Sequence, residues 1–204
     1  MNKLFSIDGL FYKIGTIIID LFYMNLLWLL FTIIGLGLTG GASSASLFRI
    51  MQRRAQNKGN CNFEEFLYGF KKFFKRSTII WVIQILIVII SVVNIHYIPF
   101  FENFFENAYF AFFILIVQIL VLIEVLAISI YIYNVIVKYD VNLVSAFKIA
   151  FVLGYKNILA TITCMALAVI VIIGLFSVPI IFCVGVSGYA MLSSIILKNK
   201  LNIS

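Results

Sequence analysis

The chain has 204 residues, of which 64% are hydrophobic and 11% charged, against roughly 45–50% apolar and about 25% charged in an average soluble protein. Several uninterrupted stretches reach the ~20 apolar residues of a spanning helix. Soluble, disordered, collagen-like and disulfide-stapled classes are excluded, leaving an all-α, polytopic transmembrane helical bundle that forms a single integral membrane domain. The net charge of +7, from 15 Lys and Arg against 8 Asp and Glu, would suggest nucleic acid in a soluble protein. In this chain it reads as an orientation signal, and no nucleic-acid partner is expected.

Five spans are predicted. The first runs from about Thr16 to Leu38 and the second from about Ser77 to Ile98, each long enough at 1.5 Å per residue to cross the hydrocarbon core. The third, about Ala108 to Val137, is longer and has to tilt or protrude. A fourth over 158–178 and a fifth over 179–197 follow almost without a break, with Pro179 opening the last helix, and read as a tight hairpin. The first apolar run starts too late and continues too long for a cleaved signal peptide, so it reads as a spanning anchor.

The basic residues set the orientation. Arg49, Arg53, Arg54, Lys58, Lys71, Lys72, Lys75 and Arg76 lie between spans one and two; Lys138, Lys148 and Lys156 lie between three and four; Lys198 and Lys200 follow the fifth. The connection between spans two and three has Glu102 and Glu106 and no Lys or Arg. By the positive-inside rule the long basic loop and the C-terminus are cytoplasmic, and five spans put the N-terminus outside. A six-segment alternative makes Gly35–Gly41 a sharp turn and Ala42–Lys58 a returning helix, which would bring Lys3 and Lys13 to the basic side as well. Arg49 stands only about ten residues past that turn, roughly 15 Å of helix, too short a dry stretch to span, and five spans are preferred.

Two cytoplasmic amphipathic helices are predicted, over about 62–76 and 142–156. In the first, Phe63, Phe66, Leu67, Phe70, Phe73 and Phe74 form one helical stripe after the cap Asn62, with Lys71, Lys72, Lys75 and Arg76 in the last turns. The second repeats the plan with Asn142, Leu143, Phe147, Ala150 and Phe151, and leads through Lys156 into span four. Both should lie flat among the headgroups of membrane lipids, and the repeated plan suggests a weak internal duplication. Lys71, Lys72, Lys75 and Arg76 are the candidate surface for lipid or for a cytoplasmic partner; the plainer reading is an interfacial helix that positions the next span.

Small residues cluster twice, at Gly37, Gly41 and Ala45 and at Gly185, Gly188, Ala190 and Ser194. Such surfaces let helix backbones approach closely, within the chain first and in a homodimer second. Gly35–Gly41 breaks the first helix and is not a phosphate loop, since no Gly-Lys-Ser/Thr follows and no strand precedes it.

The candidate intramembrane polar site is built on Glu124, near the centre of the third span, where an acid costs roughly 2.5–3.5 kcal/mol on insertion scales. Tyr131, two turns along, is its expected hydrogen-bond donor. It reads either as a proton or cation site or as a protonated carboxyl serving a neighbouring helix. Asp20, about one turn inside span one, and Asn25, deeper, are further candidates. Gln84, Gln118 and Asn134 read as interhelical amides, and His96 as an interfacial residue. Cys61, Cys164 and Cys183 form no ligand cluster, so neither a metal nor another cofactor is expected. With one His and no nucleophile–base set, catalysis is not expected either.

The segments Asn25-Leu26-Leu27-Trp28-Leu29-Leu30, Gly40-Gly41-Ala42-Ser43-Ser44-Ala45-Ser46-Leu47 and Phe63-Glu64-Glu65-Phe66 with Phe70-Lys71-Lys72-Phe73-Phe74-Lys75 resemble the YesL-like bacterial membrane proteins, a family of unknown function. The resemblance extends through Tyr139-Asp140 and the proline-led final hairpin. Gly41 stands where that family usually has proline, and Lys72-Phe73-Phe74 where it has a residue, Asn and Phe. The resemblance implies a place in the plasma membrane of a bacterial cell and an accessory or permease-like role in ABC-type carbohydrate uptake, with sugar-transporter subunits as partners, and carries over no site residues. The residues themselves leave two rivals: an autonomous small-solute or proton-coupled transporter, and a structural or lipid-binding membrane protein.

Overall fold

The computed structural model describes residues 10–56, 58, 61–100, 108–177, 179–198 and 200. Lys3, Glu102, Glu106 and Val178, on which parts of the topological reading rest, lie outside them. The described chain is helical, with no strand: α1 (Leu10–Ile34), α2 (Gly40–Ala55), α3 (Phe63–His96), α4 (Ala108–Tyr139), α5 (Leu143–Lys156), α6 (Ile158–Ser177) and α7 (Pro179–Leu197). Among the described residues α1, α3 and α4 are each long and apolar enough to cross a bilayer, and α5 with α6, bent by 101°, makes a fourth crossing if the pair is one broken span. The apolar stretch Cys183–Leu197 of α7 is shorter. Helices α6 and α7 pack against each other.

Three expectations are corrected. The first concerns the returning helix set aside on grounds of length, which is present as α2. Leu36 and Gly37 turn the chain with φ of 51° and 81°, conformations that suit glycine and strain leucine. The turn is pinned from both sides, since Thr39 Oγ1 donates to the Phe31 carbonyl at 2.6 Å and Trp81 Nε1 to the Gly37 carbonyl at 2.9 Å. At the far end of α2, Arg54 pairs with Asp20, midway along α1, at 2.7 Å, so α2 runs antiparallel to the second half of α1. The length argument fails because α2 does not face lipid: Gly40 to Phe48 are all buried, enclosed by α1, α3, α4 and α7. A helix surrounded by protein need not satisfy the thickness or apolarity of a bilayer.

Its small residues allow this enclosure. A Cβ at Gly41 would run into the Ser77 carbonyl oxygen and stand 2.6 Å from Trp81 Cβ, and one at Gly69 would stand 2.7 Å from Ser46 Oγ. Ser46 Oγ donates to the Phe66 carbonyl, and Trp28 Nε1 donates to Ser44 Oγ at 3.0 Å.

The second correction is that the helix expected over 62–76 does not stand apart from span two. Asn62 caps it as expected, its Oδ1 accepting from the Glu65 amide at 3.0 Å, but the helix continues without interruption to His96 as 34 residues, about 51 Å at helical rise. No Gly or Pro interrupts Arg76-Ser77-Thr78, and α2 braces the helix on both sides of that point. Phe66 and Phe73 are fully buried, so the middle of the aromatic stripe faces protein rather than headgroups.

The third is α5. Asn142 caps it in the same way, from the Ser145 amide at 3.0 Å, but α5 packs against α4 rather than lying flat, and the chain then bends sharply at Asn157 (φ −121°, ψ 51°). The core gathers where these helices converge. Every residue of α4 from Ile130 to Ile136 is buried, whereas Tyr109, Phe112, Phe113 and Leu120 nearer its start are exposed, as befits a lipid-facing surface.

Candidate functional site

Two places bring the predicted polar residues together. The first is the end of the bundle where α2 finishes and α3 begins. Glu64 and Glu65 stand in the first turn of α3, where the helix dipole favours acids, and Glu65 Oε2 accepts from Arg49 at 2.6 Å and Arg53 at 2.7 Å. Two to three turns along α3, Lys72 and Arg76 converge on Asp140 at 3.0 and 2.8 Å. Arg76 also donates to the carbonyls of Asp140 and Val141, which closes the open C-terminal end of α4. Asp140 itself takes the left-handed conformation (φ 49°) just past that helix, a position tolerant of Asp.

The Lys72 hydrogen bond, with the Lys72 and Arg76 charges behind it, holds the Asp140 carboxyl below its ordinary range. Of the four cations expected to form an open surface, Lys72 and Arg76 are thus held within the chain. Lys71 and Lys75 are exposed and, among the described residues, make no ion pair. Beside this end, burial pushes the Cys61 thiol up to about 11, with the nearby Asp20 charge adding to the effect.

Asn25, one and a half turns beyond Asp20, is buried and its Oδ1 accepts from the Ser187 amide at 3.2 Å. With Ser187 Oγ donating to the Leu21 carbonyl, it joins α1 to α7. Both first-span candidates therefore serve helix contacts. Asn134 does likewise, its Oδ1 accepting from Gln52 Nε2 at 2.6 Å and from Ser194 Oγ at 3.4 Å.

The second place is the bend between α5 and α6. A helix that breaks frees carbonyl groups, and in lipid each needs a partner. Thr161 Oγ1 donates to the Gly154 carbonyl at 2.8 Å and lies 2.9 Å from Tyr131 OH. A hydroxyl has one proton, so Tyr131 is the donor in that pair. Tyr131 is fully buried and serves the bend, not Glu124. The partner of Glu124 is Tyr155, whose OH donates to Oε2 at 2.9 Å; sequence periodicity missed it because α5 was expected at the headgroups. Beside this pair lies a cavity of about 650 Å³ between α4, α5 and α6, apolar except for Glu124, Tyr155 and Thr161. Among the described residues no group of three His, Cys, Asp or Glu is placed to hold a metal ion.

The long apolar helices, the enclosed α2 and the broken α5–α6 pair define a multi-pass, all-helical membrane protein. A family model described as "Protein of unknown function, DUF624" matches residues 21–95. That stretch is similar to the DUF624 domain, the domain of the YesL-like bacterial membrane proteins that the sequence resembles. No curated protein and no solved structure matches the chain.

Proposed function

We propose that the protein is an accessory component of carbohydrate uptake in the bacterial plasma membrane, partnering ABC-type transporter subunits rather than forming the sugar path itself. The observation that carries this reading is the lining of its cavity, where the polar side chains are Glu124, Tyr155 and Thr161 in an otherwise apolar wall. A sugar presents hydroxyls on every side, and a site that left them unmatched would lose affinity steeply. The carbohydrate class comes from the family resemblance. The partner surface is the basic end, where Lys71 and Lys75 are exposed on a helix fixed by the Asp140 clasp. This end faces the cytoplasm in the proposed topology, and the C-terminus lies on the same side.

Co-purification from native membranes in mild detergent tests it. Transport subunits should be recovered with the wild-type protein and lost with Lys71→Glu/Lys75→Glu, whereas recovery of no transport component with the wild type would overturn the reading. The sidedness is tested by alkylating Cys61 in intact and opened cells. Protection only in intact cells is expected, with the reaction run above pH 8 because its raised thiol leaves little thiolate at neutrality.

One observation favours a second reading, an autonomous proton-coupled small-solute transporter: Glu124 stands at a cavity beside a broken helix, where transporters place their sites. Unchanged uptake and proton flux in vesicles carrying Glu124→Gln would remove it.

A further inference from the structure

All but one of the described acids fall into two groups. Asp20, Glu65 and Asp140 each meet one or two cations within 3.0 Å, and Glu64 stands at the open start of α3, where water can solvate it. Glu124 belongs to neither group. It lies midway along α4, partly buried, and among the described residues it makes no ion pair; the Tyr155 hydroxyl is its neutral partner. No Lys, Arg or His lines the cavity that it borders.

Two further features sit at the same cavity. Phe151 and Tyr155, on successive turns of α5, hold their rings 4.8 Å apart at 49°, and both line the cavity with Glu124. Aromatic faces beside a carboxylate form the surroundings that attract an organic cation, by charge and by the ring quadrupole. The volume of about 650 Å³ lies within the range of ligand sites that enclose a small organic molecule. Apart from the Thr161 hydroxyl its remaining walls are apolar, and Leu120, Ile158 and Ile162 at its edge are exposed, an apolar rim that suits acyl chains better than water.

We infer that this cavity is a binding site for a lipophilic organic cation, a quaternary or protonated amine or its phosphonium equivalent with apolar bulk, taken from the membrane phase and countered by Glu124. Phe151 and Tyr155 supply aromatic contact, and α4 and α6 supply the apolar walls. A compact hydrated cation such as Na⁺ does not fit this lining, which offers too few oxygen ligands to replace a hydration shell. A sugar does not fit it either.

The test uses the full-length protein in lipid nanodiscs with tetraphenylphosphonium as probe, and tetraphenylborate as a control of the same shape and opposite charge. Wild type should bind the cation saturably, about one per chain. Glu124→Gln should weaken that binding by about tenfold or more, as expected when a desolvated counter-charge is removed, while Glu124→Asp retains most of it. Gln preserves the volume and can still accept from Tyr155, so the variant is expected to fold; a matching elution profile and melting temperature check this. Tetraphenylborate should partition without saturation and without regard to residue 124. Equal binding of the cation by wild type and Glu124→Gln, or no saturable binding by wild type, overturns the inference. The readout is binding alone, so its failure is distinguishable from failure of either transport reading.

Discussion

The helices that start at Asn62 and Asn142 begin alike and end differently. Both caps accept a hydrogen bond from the third residue onward at 3.0 Å, both helices bury an apolar stripe, and both carry Lys toward the start of a span. The first runs on unbroken for 34 residues; the second stops after 14 and turns through 101°. Local start signals therefore do not decide whether a helix enters the membrane in one piece. The decision is made at the junction, by what packs there. Helix α3 passes Ser77 with α2 held against it at Gly41 and Gly69, whereas α5 reaches Asn157, a poorer helix former, beside Thr161, which donates to the Gly154 carbonyl freed by the break and itself accepts from Tyr131.

The largest effect should come from breaking the brace. Gly41→Val forces a side chain into the Ser77 carbonyl and Trp81, and should destabilise by about 3 kcal/mol or more, at or beyond the top of the usual overpacking range. Gly188→Ala meets nothing within 4 Å and should leave the melting temperature in detergent unchanged. A well-folded, equally stable Gly41→Val protein would show that α2 does not brace α3.

The bend comes next. Thr161→Val removes the hydroxyl that serves Gly154 and Tyr131 and should cost about 1–3 kcal/mol through the buried groups left unpaired. Adding Tyr131→Phe should cost less than the sum of the single changes, since the two share one bond. Strict additivity in thermal unfolding would mean that the pair does not act together. The caps should be matched: Asn62→Ala and Asn142→Ala are each expected to lose about 1 kcal/mol. A large inequality between them would place part of the difference between the helices at their starts.

The smallest effect belongs to the Asp140 clasp. It is half exposed, so Asp140→Asn should cost at most about 1 kcal/mol. Because Lys72 and Arg76 hold that carboxyl below its ordinary value, the native state favours its ionised form. The stabilisation is fully present above the ordinary aspartate pKa of about 4 and is lost as pH falls through the lowered value. The gap in melting temperature between wild type and Asp140→Asn should therefore be flat at neutral pH and close only in acid.

Much of this architecture was legible from residue order. The apolar runs located α1, α3 and α4, and Asn62 and Asn142 marked helix starts, because these features depend on a few neighbouring residues. Of the small residues that signalled close packing, Gly41 and Ala45 are packed against neighbouring helices, while Gly37 makes the turn in open space. What could not be read was which helix fills the space so vacated: a segment containing Ser43, Ser44, Ser46, Arg49 and Gln52 looks like a loop until its neighbours are known to enclose it. The site divides in the same way. Glu124 stood out by its cost in lipid, but its partner Tyr155 lies 31 residues away on a helix whose depth follows from packing against α4. Lys72 and Arg76 looked available because Asp140, which engages both, lies more than sixty residues downstream.

The enclosure of α2 also constrains how the chain is made. Arg49, Gln52, Arg53 and Arg54, together with its serines, make α2 too polar to partition into lipid by itself, and its surroundings are contributed by α3, α4 and α7, all synthesised later. While the ribosome is still extending α3, the α1–α2 hairpin therefore has no finished place in the bilayer. It has to wait at the insertion machinery or in contact with water, and it becomes a membrane-embedded element only when the last helix arrives. A truncation that removes α7 would thus deprive the start of the chain of its housing, exposing a segment more than a hundred residues away to surveillance by membrane proteases.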